Sequence, residues 1–439
     1  MLVTTDAFTW LAAALIAGLA TVTGRFAFRA LAGDPRRPAF MRALVVTSVC
    51  AVATVIADNL LVVTLAWLGT SLGLDRLLRF HPERRAAVLA AHQKFAVSRL
   101  GDLCLIAALV VAWREAGTWS ISTLIVRATT SPEFGAALAV LLAAAALIKS
   151  AQVPWHSWLP ETLDAPTPVS ALMHAGVINA GSVLMIRCSP LIAAAPAAMT
   201  LLLVVGALSA VVGTCVGLTQ PTVKRALAWS TIAQMGFLFV ECGLGAFGLA
   251  ALHLVAHAAY KAVAFLSSGS VIATAPAPPR RDGRVHLVDA LAPIAALALV
   301  AAATTLAGID VRHHTGTFAL TALFTVALSV FLAEAWRRTD TRAMLRGVAA
   351  AAGLTLSYVA LHRLFDTTVP MTTSTAPMSD TTVIVIAVVA ALAYTAERLA
   401  SRLQQWPPAQ AVYVHARNGF YVGAHAQRML ARVWPTEVA

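Results

Sequence analysis

Apolar runs of about 18 or more residues recur along the whole 439-residue chain and decide its fold class. Hydrophobic residues make up 59% of the sequence and charged residues only 12%, a balance that no water-soluble globular domain needs. The repetition of the runs excludes a cleaved signal peptide followed by a soluble domain. The sequence therefore predicts an all-α, polytopic bundle of transmembrane helices.

The runs predict thirteen spans, one of them broken at Pro154. They cover residues 8–28, 41–57, 59–78, 95–113, 132–163, 166–187, 198–218, 226–242, 247–273, 287–307, 317–335, 344–362 and 381–397. The distribution of basic residues then predicts the topology. Of 32 lysines and arginines, 24 fall on one side of these spans and 5 on the other. Because retained Lys and Arg mark the cytoplasmic side, we expect a multi-pass protein of the cell inner membrane with a cytoplasmic C-terminus.

The three remaining basic residues, Arg99, Lys149 and Lys261, lie inside apolar segments, where a charge is costly and is usually functional. Lys149 stands in the stretch ALIKSAQVPWHSWLPETLDAPTPVSALMHA, residues 146–175. It either extends to the interface from a helix end or lies beside a helix break inside the membrane. In the second case water can reach the amine, which can then gain and lose a proton.

A second polar series lies in the stretch LHLVAHAAYKAVAFLSSGS, residues 252–270. His253, His257 and Lys261 recur every fourth residue, so they form one polar stripe on an apolar helix and can pass protons through bridging waters. A zinc site is the rival interpretation, but no HExxH motif or cysteine pair accompanies the histidines, and we predict no metal on this chain. His174, in the predicted span 166–187, is either part of the same path or a histidine hydrogen-bonded to a neighbouring helix.

Four further charged residues are candidates for supporting ion pairs. Arg99 and Asp102 are three residues apart on one helical face, whereas Glu161 and Asp164 follow the predicted break.

The five cysteines form no CxxC pair, and the sequence contains no phosphate-binding loop, dinucleotide fingerprint or nucleophile elbow. We therefore expect a transporter subunit and no enzyme, with any catalysis on a partner. The basic tail after residue 398 predicts either an interfacial amphipathic helix or a docking surface for a cytoplasmic partner.

Three long stretches carry a family resemblance: LIKSAQVPWHSWLPETLDAPTPVSALMHAG, VKRALAWSTIAQMGF and LHLVAHAAYKAVAFLSSGSVI. They resemble the proton-conducting antiporter family, which comprises the large membrane subunits of respiratory complex I and of multisubunit cation/proton antiporters. The resemblance implies that Lys149 is the central proton carrier and that Lys261 continues the path. It also implies that His174, His253 and His257 lie between or beside these lysines and that Lys224 belongs to the same polar axis. Residues 1–94 would then form N-terminal helices, 95–275 the translocation core, 276–397 the C-terminal helices and 398–439 the tail.

Departures from the complex I pattern indicate which branch of this family the chain resembles. Leu68 follows Trp67 where the complex I members carry a glutamate, and their distal lysine is not recognisable after residue 275. Together with LGTSLGLDRLLRFHPERRAAVLAAHQKFAVSRLGD, these features are similar to the membrane subunits of DAB inorganic-carbon accumulation complexes. That resemblance implies a subunit that conducts H+, or else Na+, and carries no cofactor itself. It further implies a large cytoplasmic partner resembling DabA, which holds zinc and converts CO2 to bicarbonate. The alternatives are a proton-pumping subunit of a complex like NADH:quinone oxidoreductase and a cation/proton antiporter subunit.

Overall fold

The computed structural model describes residues 6–269, 287–311, 315–337, 341–368, 395 and 406–434. Nearly all of them lie in helices, and the described part of the chain contains no β-strand beyond a single bridge between Asn59 and Ser120. Eleven of the described helices are long and apolar enough to cross a membrane. The predicted all-α transmembrane bundle is confirmed.

The chain forms two compact units, the first comprising Met1–Gly243, His253–Ala275 and His415–Ala439 and the second Leu244–Leu252 and Pro276–Val414. The helices before the second unit's main segment are α1 Ala7–Ala30, α2 Arg37–Ile56, α3 Leu60–Leu78, α4 Arg85–Ala116, α5 Ile121–Thr130, α6 Pro132–Lys149, α7 Trp158–Glu161, α8 Thr167–Ala175, α9 Ala180–Arg187, α10 Ser189–Ala193, α11 Pro196–Gly217, α12 Val223–Gly243 and α13 Phe247–Leu266. After them come α14 Leu287–Leu306, α15 Thr315–Trp336, α16 Thr341–Thr368, α17 Pro407–Arg417 and α18 Val422–Val433. The functional subdivision at residues 94, 275 and 397 stays a prediction.

Twelve of the thirteen predicted spans overlap a helix, and the thirteenth, 381–397, lies outside the described residues. Eleven of the twelve meet the length and apolarity of a membrane span. The other is α12, which is less apolar because it carries Lys224, Arg225, Gln234 and Glu241. Helix α5 has no counterpart among the predicted spans, since its ten residues are too few to cross a bilayer.

The predicted break is longer than the proline alone implies. Helix α6 ends at Lys149, and residues 150–157, which include Pro154, are not helical. The broken backbone finds partners inside the bundle, because Ser209 Oγ accepts a hydrogen bond from Val153 N at 3.0 Å and Ser150 Oγ donates to Ile178 O at 2.9 Å. Such satisfaction is what permits irregular backbone at membrane depth. The next span, predicted as one helix over 166–187, is also divided, into α8 and α9 around Gly176.

Helices α14, α15 and α16 make up most of the described second unit. Their core is built from small and branched side chains: Ala292, Ala296, Val300, Leu328, Leu332, Ala333 and Ala351. Asp289 and Arg337 join α14 to the end of α15 through a contact of 2.6 Å between Asp289 Oδ2 and Arg337 Nη2. The second unit is thus held by apolar packing and one buried ion pair.

The tail helix α18 rests on the first unit. Trp434, directly after it, stacks on His92 of α4 with ring centroids 4.1 Å apart. Upstream of α18, Gln220 Nε2 donates to Arg417 O at 3.2 Å. The tail therefore lies at the end of the unit where α4 begins, and whether it also meets lipid or a partner stays a prediction.

Candidate functional site

Lys149 ends helix α6 with its amine buried against an acid. Its side chain is only 3% exposed, and its Nζ lies 2.5 Å from Asp102 Oδ1 on α4. Arg99 Nη2 approaches the other carboxylate oxygen of Asp102 at 2.8 Å, and the Trp67 ring lies 4.9 Å from the lysine amine. Lys149, Asp102, Arg99 and Trp67 form what we call the lysine–aspartate cluster. An ion pair of this kind offsets much of the cost of a charge inside the membrane.

Gly101 leaves the space that the aliphatic part of the Lys149 side chain occupies. A Cβ on Gly101 would lie 2.5 Å from Lys149 Cγ, far inside van der Waals contact. Since α4 and α6 pack closely here, any larger residue must displace the lysine. The lysine–aspartate cluster therefore depends on how α4 packs on α6. Because Asp102 and Lys149 are 47 residues apart in sequence, no local sequence pattern predicts their contact.

A small cavity adjoins the cluster. Its volume is about 20 Å³, and its lining includes Lys149, Lys94, Ser71, Ser98 and Thr70. This is enough space for about one water molecule, and the hydroxyl and amine groups give it hydrogen-bonding partners. The cavity can therefore hold a water molecule beside Lys149.

His174 and Lys261 are joined by a chain of hydrogen bonds through α12. His174, which is 0% exposed, places Nδ1 3.1 Å from Thr231 Oγ1, and the threonine hydroxyl donates to Leu227 O at 2.9 Å. Lys261 Nζ donates to the same Leu227 carbonyl at 2.9 Å and also to Ser230 Oγ. The hydroxyl proton of Thr231 is engaged with Leu227, so the geometry fits a neutral His174 that donates from Nδ1. We call this set the histidine–lysine link.

Lys261 differs from Lys149 in its surroundings. It is fully buried, and within the described part of the chain no carboxylate forms an ion pair with it. Its partners are the backbone carbonyl of Leu227 and one hydroxyl, together with the Tyr260 ring at 5.6 Å.

His253 meets an acid that the sequence analysis did not single out. Its Nδ1 lies 2.9 Å from Glu241 Oε1, and its Nε2 lies 2.7 Å from Gln234 Oε1. The ring of His257, one turn further along α13, is 6.4 Å away between centroids, and neither of its nitrogens has a hydrogen-bond partner. His253, His257 and Lys261 thus share one face of α13, as predicted from their spacing.

Lys224 and the predicted acids lie at the end where α12 begins. Lys224 Nζ donates to Thr167 Oγ1 at 3.2 Å and lines a cavity of about 610 Å³ together with Glu161, Asp164 and Arg225. Glu161 pairs with Arg225 at 3.5 Å. These two acids therefore lie with Lys224, whereas Asp102 is the acid that contacts Lys149.

Sequence reasoning missed five polar side chains of the site: Lys94, Ser230, Thr231, Gln234 and Glu241. Lys94 was placed in a loop, whereas α4 begins ten residues earlier than predicted and buries it, with Nζ donating to Ser71 O at 2.6 Å. Glu241 and Gln234 had a visible signal, since each is a polar residue inside the predicted span 226–242. Ser230 and Thr231 had none, because hydroxyl residues are common in membrane helices for other reasons.

The sequence of this chain is similar to those of known proteins. Residues 57–336 match the family model described as NADH:quinone oxidoreductase/Mrp antiporter, TM. The chain is 35% identical over 444 residues to the "Probable inorganic carbon transporter subunit DabB2" of Halothiobacillus neapolitanus, covering 99% of this chain and 80% of that protein. It is 46% identical over 265 residues to the "Probable inorganic carbon transporter subunit DabB" of Hydrogenovibrio crunogenus, covering 59% of this chain and 51% of that protein.

One solved structure extends the similarity to the fold. A chain of the Mrp complex from Dietzia sp. DQ12-45-1b superposes with a TM-score of 0.56 at 25% identity, covering 98% of this chain and 48% of that one. The present chain thus spans most of the length of one curated relative and about half the length of the others.

Proposed function

This chain belongs to the NADH:quinone oxidoreductase/Mrp antiporter transmembrane family, and we propose that it conducts protons as the membrane subunit of a complex that accumulates inorganic carbon. The observation that supports this most is the buried Lys149–Asp102 pair beside a helix break. It lies in a chain similar over 99% of its length to a protein named as an inorganic carbon transporter subunit. The resemblance inferred from the sequence motifs is confirmed at the level of the family.

Lys149 serves in this proposal as a proton carrier whose charge is held by Asp102. The protonated amine and the carboxylate stabilise each other at 2.5 Å, and Arg99 contacts the other carboxylate oxygen of Asp102 at 2.8 Å. The adjoining cavity has space for a water that would take up or deliver the proton. Asp102 then holds the charged form of the carrier, and the water gives the proton a way to and from the amine.

The histidine–lysine link continues the path on the next helices. Lys261 donates to the Leu227 carbonyl, and His174 reaches the same carbonyl through the Thr231 hydroxyl, so a water bridging Lys261 and His174 would pass the proton between them. Lys224 stands at the start of α12, in the open cavity of about 610 Å³, where it can exchange protons with water. The roles of Lys149, His174, Lys224, His253, His257 and Lys261 as translocation residues are part of this proposal.

The carbon chemistry is proposed to lie on another subunit. A large cytoplasmic partner resembling DabA would hold zinc and convert CO2 to bicarbonate, while this chain supplies the ion flow and performs no catalysis. The excess of basic residues on one side supports an inner-membrane location with the C-terminal tail in the cytoplasm. Helix α18 then lies on the side from which such a partner approaches.

A second candidate is a cation/proton antiporter subunit, favoured by the similarity to the Mrp complex. Sequence identity separates the two, because it is 35% to the DabB2 relative but 25% to the Mrp chain. We rank the carbon-accumulation role first for that reason.

The experiment that separates them is growth at ambient CO2 of a host lacking carbonic anhydrase. We expect growth when this chain is expressed together with a soluble partner resembling DabA, and loss of growth on addition of a protonophore. Growth abolished by a sodium ionophore and untouched by a protonophore would assign Na+ as the ion. Failure to rescue growth, together with Na+/H+ exchange in everted vesicles, would establish the antiporter instead.

Replacing Gly101 with alanine should impair transport by moving Lys149. The new Cβ would lie 2.5 Å from Lys149 Cγ, so the amine must move away from Asp102. Displacements near 1 Å can cost about 100-fold in rate, and we expect a loss of up to that size in bicarbonate accumulation. Gly18→Ala is the matched control, since nothing lies within 4 Å of its added Cβ. Equal rates for the two variants would show that the position of Lys149 is unimportant.

A further inference from the structure

Glu241, which contacts His253, is a buried acid of the first unit that the proposed path does not include. Glu241 is 4% exposed, and its Oε1 contacts His253 Nδ1 at 2.9 Å. Its other carboxylate oxygen, Oε2, is buried and has no hydrogen-bond partner. A buried carboxylate that leaves one oxygen unpaired is costly, and such groups occur mainly where a proton or a ligand must bind.

The position of the pair in the bundle is equally specific. Helix α12 begins at Val223 beside Lys224 and Arg225, at the end of the bundle where basic residues concentrate. Glu241 lies 17 residues after Lys224, which is about 25 Å along a helix, and only two residues before α12 ends at Gly243. The pair therefore lies at the opposite end, close to the second membrane surface.

The polar residues between these two ends form a series along α12 and α13. From the basic end they are Lys224, Lys261 with Ser230 and Thr231, His257, and His253 with Gln234 and Glu241. Because the two helices are antiparallel neighbours in sequence, the series runs along the membrane normal.

We propose that Glu241 and His253 form the outward proton-release site of this subunit, with Glu241 as the last proton-bearing residue of the path. This rests on the proposed function and specifies where its path ends. The series then completes a route across the first unit through α12 and α13 alone.

The proton transfer balances within the pair. With His253 doubly protonated and Glu241 ionised, the proton on Nδ1 crosses the 2.9 Å contact to Oε1, leaving a neutral imidazole and a carboxylic acid. The acid then releases that proton to water at the near surface and becomes a carboxylate again. Nε2 keeps its proton, which it donates to Gln234 Oε1 at 2.7 Å, so the next proton must bind Nδ1. For this the imidazole turns away from Glu241 toward His257, whose ring lies 6.4 Å away, takes up the proton through one bridging water and turns back.

The test is proton flux through the intact complex in proteoliposomes, driven by an imposed pH gradient and followed with a trapped pH dye. Glu241→Gln should reduce the flux on the order of 100-fold, the lower range for the loss of a positioned proton-transfer group, while the complex stays assembled. Glu115→Gln is the matched control, because Glu115 is an exposed acid at the same end of the bundle, near the end of α4. It should conduct at the wild-type rate.

Two further variants separate proton release from a structural role. Glu241→Gln combined with His253→Gln keeps a hydrogen-bonded pair of similar size between α12 and α13 but cannot exchange protons. We expect it to be as stable as the wild type and to conduct as poorly as the single variant. Infrared difference spectra after a pH jump should also show a carboxylic acid band that Glu241→Gln lacks.

Flux at the wild-type rate in Glu241→Gln or in the double glutamine variant would overturn the release site and leave the proposed function standing. A wild-type complex that conducts no protons at all would instead refute the proposed function. The two failures are thus distinguishable in one experiment.

Discussion

Replacing Lys149 with glutamine should abolish proton-driven bicarbonate accumulation while the complex still assembles. The substitution removes the only titratable amine in contact with Asp102. Loss of a positioned proton carrier lowers rates by about 100-fold to 10,000-fold, so growth of a host without carbonic anhydrase should fail at ambient CO2. Assembly is measured by co-purification of the partner and by size-exclusion chromatography.

Variants of Asp102 provide the control for this prediction. Asp102→Asn leaves the buried lysine without a carboxylate, and breaking a buried pair in this way costs about 3–5 kcal/mol. We expect the single Asp102→Asn variant to be both inactive and less stable. The combination with Lys149→Gln removes both charges, so it should regain stability without regaining activity. Activity in either lysine variant would show that Lys149 is not the carrier.

Replacing Lys261 with methionine should also stop transport, but unlike Asp102→Asn it should not lower the stability of the protein. Lys261 is fully buried, and among the described residues its amine donates hydrogen bonds to Leu227 O and Ser230 Oγ. Methionine has a similar volume and no charge to bury, so the melting temperature should be unchanged or raised. The proton flux should fall by about 100-fold or more because the histidine–lysine link loses its titratable end.

Two further variants test whether Lys261 must release a proton: Lys261→Arg, and Tyr260→Phe as the control. Arginine keeps the positive charge but does not release its proton in a protein, so it should be inactive if Lys261 must deprotonate. Tyr260 is 60% exposed on the adjacent position, and its conversion to phenylalanine should leave the flux unchanged. Wild-type flux in Lys261→Arg would mean that only a fixed charge is required at this position.

The fold could be predicted from the sequence because lipid imposes a simple pattern. Long apolar runs predict spans, and twelve of the thirteen predicted spans overlap helices of the described residues. The boundaries were less certain where polar residues extend a helix beyond the apolar run. Helix α4 begins at Arg85, and this explains why Lys94 was assigned to a loop although it is buried.

The candidate site could be predicted in its residues but not in its pairings. Buried lysines and histidines stand out because charge is costly in an apolar segment, and their spacing places them on one face of α13. Which acid meets Lys149 depends on how α4 packs on α6 at Gly101, and this contact has no local sequence signal. Glu241 was overlooked because its role depends on His253, which lies on the next helix.

The central claim, that Lys149 carries protons whose movement drives carbon accumulation, is tested most directly in proteoliposomes holding the complex of this chain and its soluble partner. Internal pH and bicarbonate are followed together after CO2 is added under an imposed proton gradient. We predict that proton movement and bicarbonate formation rise together in the wild type and are both absent in Lys149→Gln. Bicarbonate formation without proton movement, or undiminished proton movement in Lys149→Gln, would contradict the claim.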